Sequence, residues 1–137
     1  MARWLMKSEP DCFGWDDLVA RGEAGEEWNG VRNAQATANM RKMAKGDRAF
    51  FYHSNIGKKI VGIMEVCAEA HPDSIADDPK WQCVDVRALR PLPRPVTLAA
   101  CKAEPRLSDM VLVRNARLSV QPVTEAEWAV VLELAGA

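Results

Sequence analysis

The sequence has no pair of cysteines separated by two residues, and its four cysteines, at positions 12, 67, 83 and 101, are far apart. A zinc site is therefore poorly supported, and no metal is expected. A disulfide framework is not expected in a cytosolic chain.

No apolar run approaches the roughly 20 residues of a membrane-spanning helix, so no membrane partner is expected. Lys7 and Glu9 come too early for a signal peptide, which predicts a cytoplasmic location, or a nuclear one in a eukaryote.

Signatures of catalysis are also scarce. The chain has only two histidines, His53 and His71, and no Gly-x-Ser-x-Gly nucleophile motif. No glycine-rich loop matches the patterns that hold phosphates or dinucleotides. A catalytic Ser/His/Asp triad stays an open alternative, but no motif in the sequence favours such a triad. These absences favour a binding protein over an enzyme and give no reason to expect a cofactor.

Length and composition are typical of one domain, which we expect to span residues 1–137. Of the 137 residues, 48% are hydrophobic, enough for a substantial core, and 27% are charged. Short predicted strands interleave with helices, but without the regular alternation of a doubly wound sheet. The pattern predicts an α+β fold, a small mixed β-barrel of about five to six strands with flanking helices.

A predicted hairpin presents polar side chains at one edge of the sheet. Residues 49–66 form two apolar runs around a short polar turn that contains Lys58 and Lys59. The first run ends in three side chains that can form hydrogen bonds: Tyr52, His53 and Ser54. Such a rim suits one wall of a pocket for a small molecule or a base.

Local signals predict the remaining elements that matter here. A first strand is predicted over residues 3–8, and a helix over residues 34–43 with Arg32 or Asn33 at its start. A capping box that begins at Thr124 predicts the start of the last helix. Prolines at positions 91, 93 and 95 predict an extended linker.

Charge is unevenly distributed along a chain whose net charge is −1. Residues 1–28 contain three basic and seven acidic side chains, whereas residues 29–60 contain seven basic side chains and one acidic one. A basic segment across the presumed pocket wall suggests an anionic partner. The simpler alternative, a solvated helix face, is slightly favoured by charge alone.

The five tryptophans divide into two groups. Trp4, Trp15 and Trp128 have spacings that suit core packing. Trp28 and Trp81 lie at loop edges beside polar residues, where a half-buried ring still offers a face. Stacking of a base on such a face contributes about 1–3 kcal/mol of binding free energy. Hydrogen bonds from Asn or Ser side chains to the edge of the base would then distinguish one base from another. The alternative is that both rings belong to the core.

Eight motifs, in order along nearly the whole chain, resemble the EVE domain, a member of the PUA-like superfamily. They are WLMKSEP at 4–10, WNGVRN-x-QA at 28–36, GD at 46–47, FYHSN at 51–55, IVGI at 60–63, VDV at 84–86, RPVTL at 94–98 and LSVQPV at 118–123. The resemblance implies a PUA-like barrel surrounded by helices. It also implies a pocket for a modified nucleobase, with modified cytosine in DNA as the proposed ligand class, and a fold similar to that of YTH-type domains.

The resemblance implies site residues as well. The implied base pocket consists of Lys7 and Ser8 at its floor, Trp28 with Val31, Arg32 and Asn33, the wall Tyr52, His53 and Ser54, the less secure second aromatic Trp81, and the rim residues Ser119 and Gln121. Trp81 is less secure because the preceding loop, 71–80, is shorter than in many relatives. Phosphate contacts, which position a strand without reading its sequence, are implied for Arg32, Lys58 and Lys59.

Several of these residues have simpler alternative roles. Lys7 could pair with Glu9, Asn33 could serve only as a helix cap, and His53 could be a structural histidine. His71 precedes a proline in a loop and is given no role.

Together, the sequence predicts a non-enzymatic module, monomeric by default, that recognises a modified base in nucleic acid, with DNA favoured over RNA. Two alternatives stay open. One is an RNA-binding PUA-like module that acts on transfer or ribosomal RNA. The other is a sensor or enzyme that binds a small metabolite in the same pocket.

Overall fold

The computed structural model describes residues 2–137 and forms a mixed α+β fold. The strands are β1 (Arg3–Ser8), β2 (Glu26–Glu27), β3 (Arg48–His53), β4 (Lys59–Pro72), β5 (Gln82–Thr97) and β6 (Val120–Val123). The helices are α1 (Trp15–Ala20), α2 (Ala34–Lys42), α3 (Leu98–Ala103), α4 (Val111–Arg114) and α5 (Glu125–Ala135), with 3₁₀ turns at Gly22–Ala24 and Pro105–Leu107. None of the helices within residues 2–137 is long and apolar enough to cross a membrane.

All six strands belong to one sheet, in the order β2-β5-β4-β3-β1-β6. Strands β1 and β3 are parallel, and the other neighbours are antiparallel. The predicted fold class, with six strands and flanking helices, is confirmed. The sheet is not closed, because β2 and β6 lie at its two edges. Strand β2 is only two residues long and pairs with β5.

The alternating directions of side chains along the strands divide the core in two. One part, the Trp28 core, contains Trp4 and Met6 of β1 and Phe51 of β3, with Trp28 and the buried residues of α1 and α2. The other part, the Trp128 core, contains the intervening strand residues and the helices of the C-terminal half; its largest members are Leu5, Phe50, Tyr52, Ile63, Met110, Leu112 and Trp128. The prediction that Trp4, Trp15 and Trp128 are core residues is confirmed.

One glycine permits close packing between the sheet and α1. A Cβ on Gly62 of β4 would lie 2.5 Å from the ring of Trp15, well inside van der Waals contact. Glycine at this position therefore lets the indole of Trp15 rest directly on the strand. The ring then packs edge to face against Phe51, with centroids 5.7 Å apart.

The proline-rich segment differs from its prediction. Residues 91–97 are extended, as expected, but they continue β5 rather than forming a linker. Pro91 pairs with Gly62, and Val96 pairs with Ile60. The register between β4 and β5 shifts within this stretch, and such irregularities leave ladder positions where proline's missing N–H is tolerated.

Candidate base-binding site

An open cavity of about 520 Å³ lies where the end of β1 meets β2 and the connector that precedes α2. Its lining residues are Lys7, Ser8, Glu9, Cys12, Phe13, Glu26, Glu27, Trp28, Asn29, Gly30, Val31, Arg32 and Ser119. The volume lies within the range of about 300–1,000 Å³ that is usual for ligand pockets. Six residues of the implied pocket, Lys7, Ser8, Trp28, Val31, Arg32 and Ser119, therefore line one cavity.

Trp28 is held rigidly in this lining. Its backbone N–H donates to the carbonyl oxygen of Val84 at 2.9 Å. Its ring packs edge to face on Phe51, with centroids 5.3 Å apart and planes at 83°. Only 6% of the residue is exposed, so the expectation of a half-buried ring is wrong for Trp28. The ring is a fixed part of the core that also borders the cavity.

The connector from Trp28 to Asn33 is anchored by a carboxylate from a distant loop. Asp73 accepts hydrogen bonds from the backbone N–H of Gly30 at 2.8 Å, from Nη1 of Arg32 at 3.0 Å and from the backbone N–H of Ile75 at 2.9 Å. Burial raises the pKa of Asp73, but these donors together outweigh it and hold the pKa below its ordinary value. The ionised carboxylate thus fixes the shape of the cavity wall.

Asp73 was missed as a site residue because it lies in a loop that gave no motif. A local signal does exist: the Asp73 carboxylate bonds the backbone N–H two residues later, which is the Asx-turn preference of aspartate. That signal predicts a turn, but it does not reveal the partner Gly30 in another part of the chain.

The floor of the cavity comes from the end of β1. The Ser8 hydroxyl donates to the carbonyl oxygen of Phe13 at 2.6 Å. The ammonium of Lys7 donates to the carbonyl oxygen of Ala116 at 2.8 Å, so the alternative of a Lys7–Glu9 pair is not what the structure shows. Burial lowers the pKa of Lys7.

Tyr52 lies on the other side of the sheet from Trp28. Neighbouring residues of a strand point to opposite faces, and Phe51 already contacts Trp28, so Tyr52 is directed into the Trp128 core. The residue is 3% exposed, and burial raises its pKa to about 12. The structure does not bring Tyr52 to the cavity, which corrects its expected role in the wall.

His53 and Ser54 help to hold the sheet edge together. Nε2 of His53 accepts a hydrogen bond from the backbone N–H of Trp15 at 3.1 Å. Burial, aided by the positive charge of Lys59, lowers the pKa of His53. The backbone N–H of Ser54 donates to the carbonyl oxygen of Ser8 at 2.9 Å. Neither side chain lines the cavity, and His53 has the structural role predicted as its alternative.

Three further predicted residues lie outside the lining. Asn33 caps α2, where its Oδ1 accepts from the backbone N–H of Ala36 at 2.9 Å. The guanidinium carbon of Arg32 lies over the ring of Trp81, 5.7 Å from the ring centroid. Trp81 is not among the residues that line the cavity. Gln121 is fully buried because it is the cross-strand partner of Leu5, on the opposite side of the sheet.

The candidate phosphate contacts have different surroundings. Arg32 is ion-paired with Asp73, although 38% of its side chain is exposed. Lys58 is exposed in the turn between β3 and β4, and Lys59 is the cross-strand partner of His53. This turn adjoins the cavity floor, because Ser54 at its start bonds to Ser8.

The sequence reasoning missed the acidic part of the lining. Glu26 and Glu27, which were not among the predicted site residues, form β2 and line the cavity together with Glu9. The cavity is thus bordered by three carboxylates, whereas its two cations, Lys7 and Arg32, are already engaged by Ala116 and Asp73. The pairing of a two-residue strand leaves almost no signal in the sequence.

Comparison with known proteins identifies relatives of the whole chain. The EVE domain profile matches residues 2–134. Thymocyte nuclear protein 1 of Danio rerio is 42% identical, over 97% of this chain and 71% of that protein. Protein Atu2648 of Agrobacterium tumefaciens is 55% identical, with a TM-score of 0.97 over 99% of this chain and 94% of that one. The structure of human THYN1 protein in complex with 5-methylcytosine containing DNA is 37% identical, with a TM-score of 0.89 over 100% of this chain and 99% of that one.

A more distant likeness bears on the fold alone. The YTH domain of the Zygosaccharomyces rouxii MRB1 protein superposes with a TM-score of 0.58 at 16% identity, over 98% of this chain and 86% of that one. The predicted similarity of this fold to that of YTH domains is confirmed.

Proposed function

This chain belongs to the EVE domain family, and on that premise we propose that it is a non-enzymatic DNA-binding module that recognises a modified cytosine in the cavity beside Trp28. One observation carries the proposal: a relative that is 37% identical over the whole of this chain is bound to 5-methylcytosine containing DNA. The geometry of this chain agrees with it, because Trp28 borders a cavity large enough for a base. Recognition of a modified base is thus supported by both the family and the geometry.

Stacking on Trp28 supplies affinity in this proposal. A base that leaves its duplex loses a few kcal/mol of stacking and pairing, and stacking on an aromatic side chain returns about 1–3 kcal/mol. The ring is already ordered by Phe51 and Val84, so little conformational entropy is lost on binding. The Ser8 hydroxyl, whose hydrogen is donated to Phe13, retains lone pairs that can accept from a base amino group.

The charge of the lining favours a base that donates hydrogen bonds. Glu9, Glu26 and Glu27 border the cavity, while the charges of Lys7 and Arg32 are engaged elsewhere. Carboxylates accept hydrogen bonds from the N4 amino group of cytosine, which thymine lacks. An anionic metabolite would meet three carboxylates, so binding of an anionic metabolite is less well supported than binding of a base.

The DNA strand would run past the turn between β3 and β4. Lys58 is exposed there, and Lys59 lies next to it. Both lysines, with the exposed part of Arg32, are proposed to contact phosphates on either side of the recognised base. Such contacts position the strand and add affinity that depends on salt.

A direct binding comparison tests this function. Labelled duplexes with one 5-methylcytosine, one 5-hydroxymethylcytosine, one cytosine or one thymine at the same position would be titrated at several salt concentrations by fluorescence anisotropy. We expect the modified cytosines to bind most tightly and thymine most weakly. Equal affinity for all four duplexes would contradict base recognition, and tighter binding of matched RNA would favour the RNA-binding alternative.

Three properties stay predictions: a monomeric state, one domain over residues 1–137, and a location in the cytoplasm or in a eukaryotic nucleus. Size-exclusion chromatography with light scattering, with and without DNA, measures the oligomeric state directly.

A further inference from the structure

We propose a divalent transition-metal site, of the kind that Zn²⁺ occupies, formed by Glu27, His71 and Asp85. The three residues come from three adjacent strands, β2, β4 and β5. One potential ligand atom from each lies within 4.8 Å of the other two. One imidazole and two carboxylates, with water completing the coordination, are ligands that such ions accept in proteins. The site shares Glu27 with the lining of the cavity, whereas His71 and Asp85 do not line the cavity.

The orientation of His71 is fixed on both sides of its ring. Nδ1 lies 3.0 Å from the carbonyl oxygen of Pro72, which can only accept, so Nδ1 carries the hydrogen of that bond. Nε2 therefore faces Oδ1 of Asp85, 2.8 Å away, with a proton shared between them. The hydrogen bond to Asp85 raises the pKa of His71, and a metal ion would take the place of this proton. A backbone carbonyl that fixes the other ring nitrogen is also the usual support of a metal-bound histidine.

Metal binding would require a movement of His71 and Asp85. Two ligands that are each about 2.1 Å from a tetrahedral Zn²⁺ ion lie about 3.4 Å apart. The observed separation between Nε2 and Oδ1 is 2.8 Å, which is a hydrogen-bond distance. The two atoms would therefore move apart by about 0.6 Å when the ion replaces the proton.

The position of Glu27 provides a second, independent reason. Glu27 and Asp85 are direct cross-strand partners, and two like charges at such positions repel each other. The Glu27 carboxylate is also restrained, because the backbone N–H and the hydroxyl of Ser74 both donate to Oε1, at 3.2 and 2.7 Å. A divalent cation would relieve the repulsion between two carboxylates that are already ordered.

The neighbouring Asp73 and Cys83 are not assigned to the site. Both carboxylate oxygens of Asp73 accept hydrogen bonds from the connector and from Ile75. The Cys83 thiol is buried, and a thiol must lose its proton to bind a metal. The site therefore has oxygen and nitrogen ligands only.

This site has no signature in the sequence. Its ligands lie at positions 27, 71 and 85, without the short spacings of metal motifs. The expectation that no metal binds rested on those spacings, and His71 was given no role. Only the pairing of β2 with β5 and of β4 with β5 brings the three side chains together.

Calorimetric titration of the full-length, chelator-treated protein with Zn²⁺ tests the proposal. We expect one equivalent to bind with a raised melting temperature, and we expect His71→Ala and Asp85→Asn each to weaken binding at least about tenfold. Asp77→Asn, which removes an exposed carboxylate from the neighbouring loop, is the matched control and should bind as the parent does. No saturable binding, or equal binding by His71→Ala, would overturn the proposal and leave His71 and Asp85 as a proton-bridged ion pair.

Cobalt substitution distinguishes metal binding at this site from metal binding by a cysteine thiolate. The experiment uses the parent protein, so it does not depend on whether a His71 variant folds. Co²⁺ bound by Glu27, His71 and Asp85 should shift the His71 ring signals in NMR spectra and give no thiolate charge-transfer band. A strong thiolate band that is lost in Cys12→Ser or Cys83→Ser would place the metal on a cysteine and refute the assignment.

Discussion

The buried carboxylate of Asp73 accepts a hydrogen bond from the backbone N–H of Gly30, 43 residues earlier in the chain, at 2.8 Å. The same oxygen accepts from Arg32. One side chain of the loop after β4 thus determines the conformation of the connector that lines the cavity, and the first prediction follows from this contact.

Asp73→Asn should destabilise the protein and weaken DNA binding together. The amide keeps the size of the side chain but loses the charge that Arg32 and two backbone N–H groups require. We expect the free energy of unfolding to fall by about 1–3 kcal/mol, as measured by urea denaturation. Asp77→Asn, an exposed aspartate of the same loop, is the control and should change neither property. An Asp73→Asn variant with unchanged stability would show that the carboxylate does not anchor the connector.

Trp28→Leu should lose affinity for DNA that contains a modified cytosine. Leucine retains apolar bulk against Phe51 but provides no aromatic face, so about 1–3 kcal/mol of stacking is lost. The dissociation constant should rise by about fivefold to 150-fold, measured by anisotropy. Trp128→Leu is the matched control, because Trp128 stacks on Phe50 in the other part of the core, with centroids 3.8 Å apart. Equal loss of affinity in both variants would mean that destabilisation, not stacking, is responsible.

Tyr52→Phe should leave DNA affinity unchanged. The residue is buried in the Trp128 core and its hydroxyl does not line the cavity. The same titration against 5-methylcytosine DNA measures this, with Ser8→Ala as a comparison that removes a hydroxyl from the floor. A clear loss of affinity in Tyr52→Phe would return Tyr52 to the binding wall and contradict the division of the core.

Lys58→Ala and Lys59→Ala should each reduce the salt dependence of DNA binding. Loss of one phosphate contact lowers the slope of log K against log salt by about 0.9, whatever the base. The discrimination between modified and unmodified cytosine should therefore persist. Lys45→Ala, at the opposite end of β3, is the control and should retain the parental slope. An unchanged slope in the double variant Lys58→Ala/Lys59→Ala would exclude this turn from the DNA path.

His53 should make folding less favourable in weak acid. Burial, with the positive charge of Lys59, lowers its pKa in the folded state below the ordinary 6.5. Between that lowered value and 6.5, the unfolded chain binds more protons than the folded one, so stability declines as the pH falls through this window. The deficit is absent above 6.5, where both states are neutral.

Histidine NMR signals measure this pKa directly, since the chain has only two histidines. His53→Gln identifies the signal, and its amide oxygen can still accept from Trp15. We expect the variant to lose less stability than the parent between pH 7 and pH 5. A His53 signal that titrates at or above 6.5 would refute the prediction.

The sequence predicted those parts of the site whose residues are close in the chain. The motif from Trp28 to Asn33 forms one cavity wall, and Asn33 caps the next helix as local propensity predicts. Lys7 and Ser8 end the first strand, which was predicted over residues 3–8 and is observed there. These features depend on neighbouring residues, so they can be inferred without knowing the fold.

The residues that were misplaced depend on the arrangement of the sheet. Phe51 and Tyr52 are adjacent in sequence, but the strand directs them to opposite sides, and only the packing of Trp28 shows which side holds the cavity. Gln121 was placed at a rim, yet it is buried as the cross-strand partner of Leu5. A motif identifies such residues but not the direction of their side chains.

By itself, the sequence determined the family, the α+β class and the approximate extent of most strands and helices, because alternation, capping and turn preferences act over a few residues. Only the tertiary structure decided which side chains meet. The pairing of β2 with β5 brings Glu27 to both the cavity and Asp85, and the loop after β4 brings Asp73 to Gly30. These contacts join residues about 40 to 60 positions apart, and their formation depends on the packing of the whole sheet rather than on any local preference.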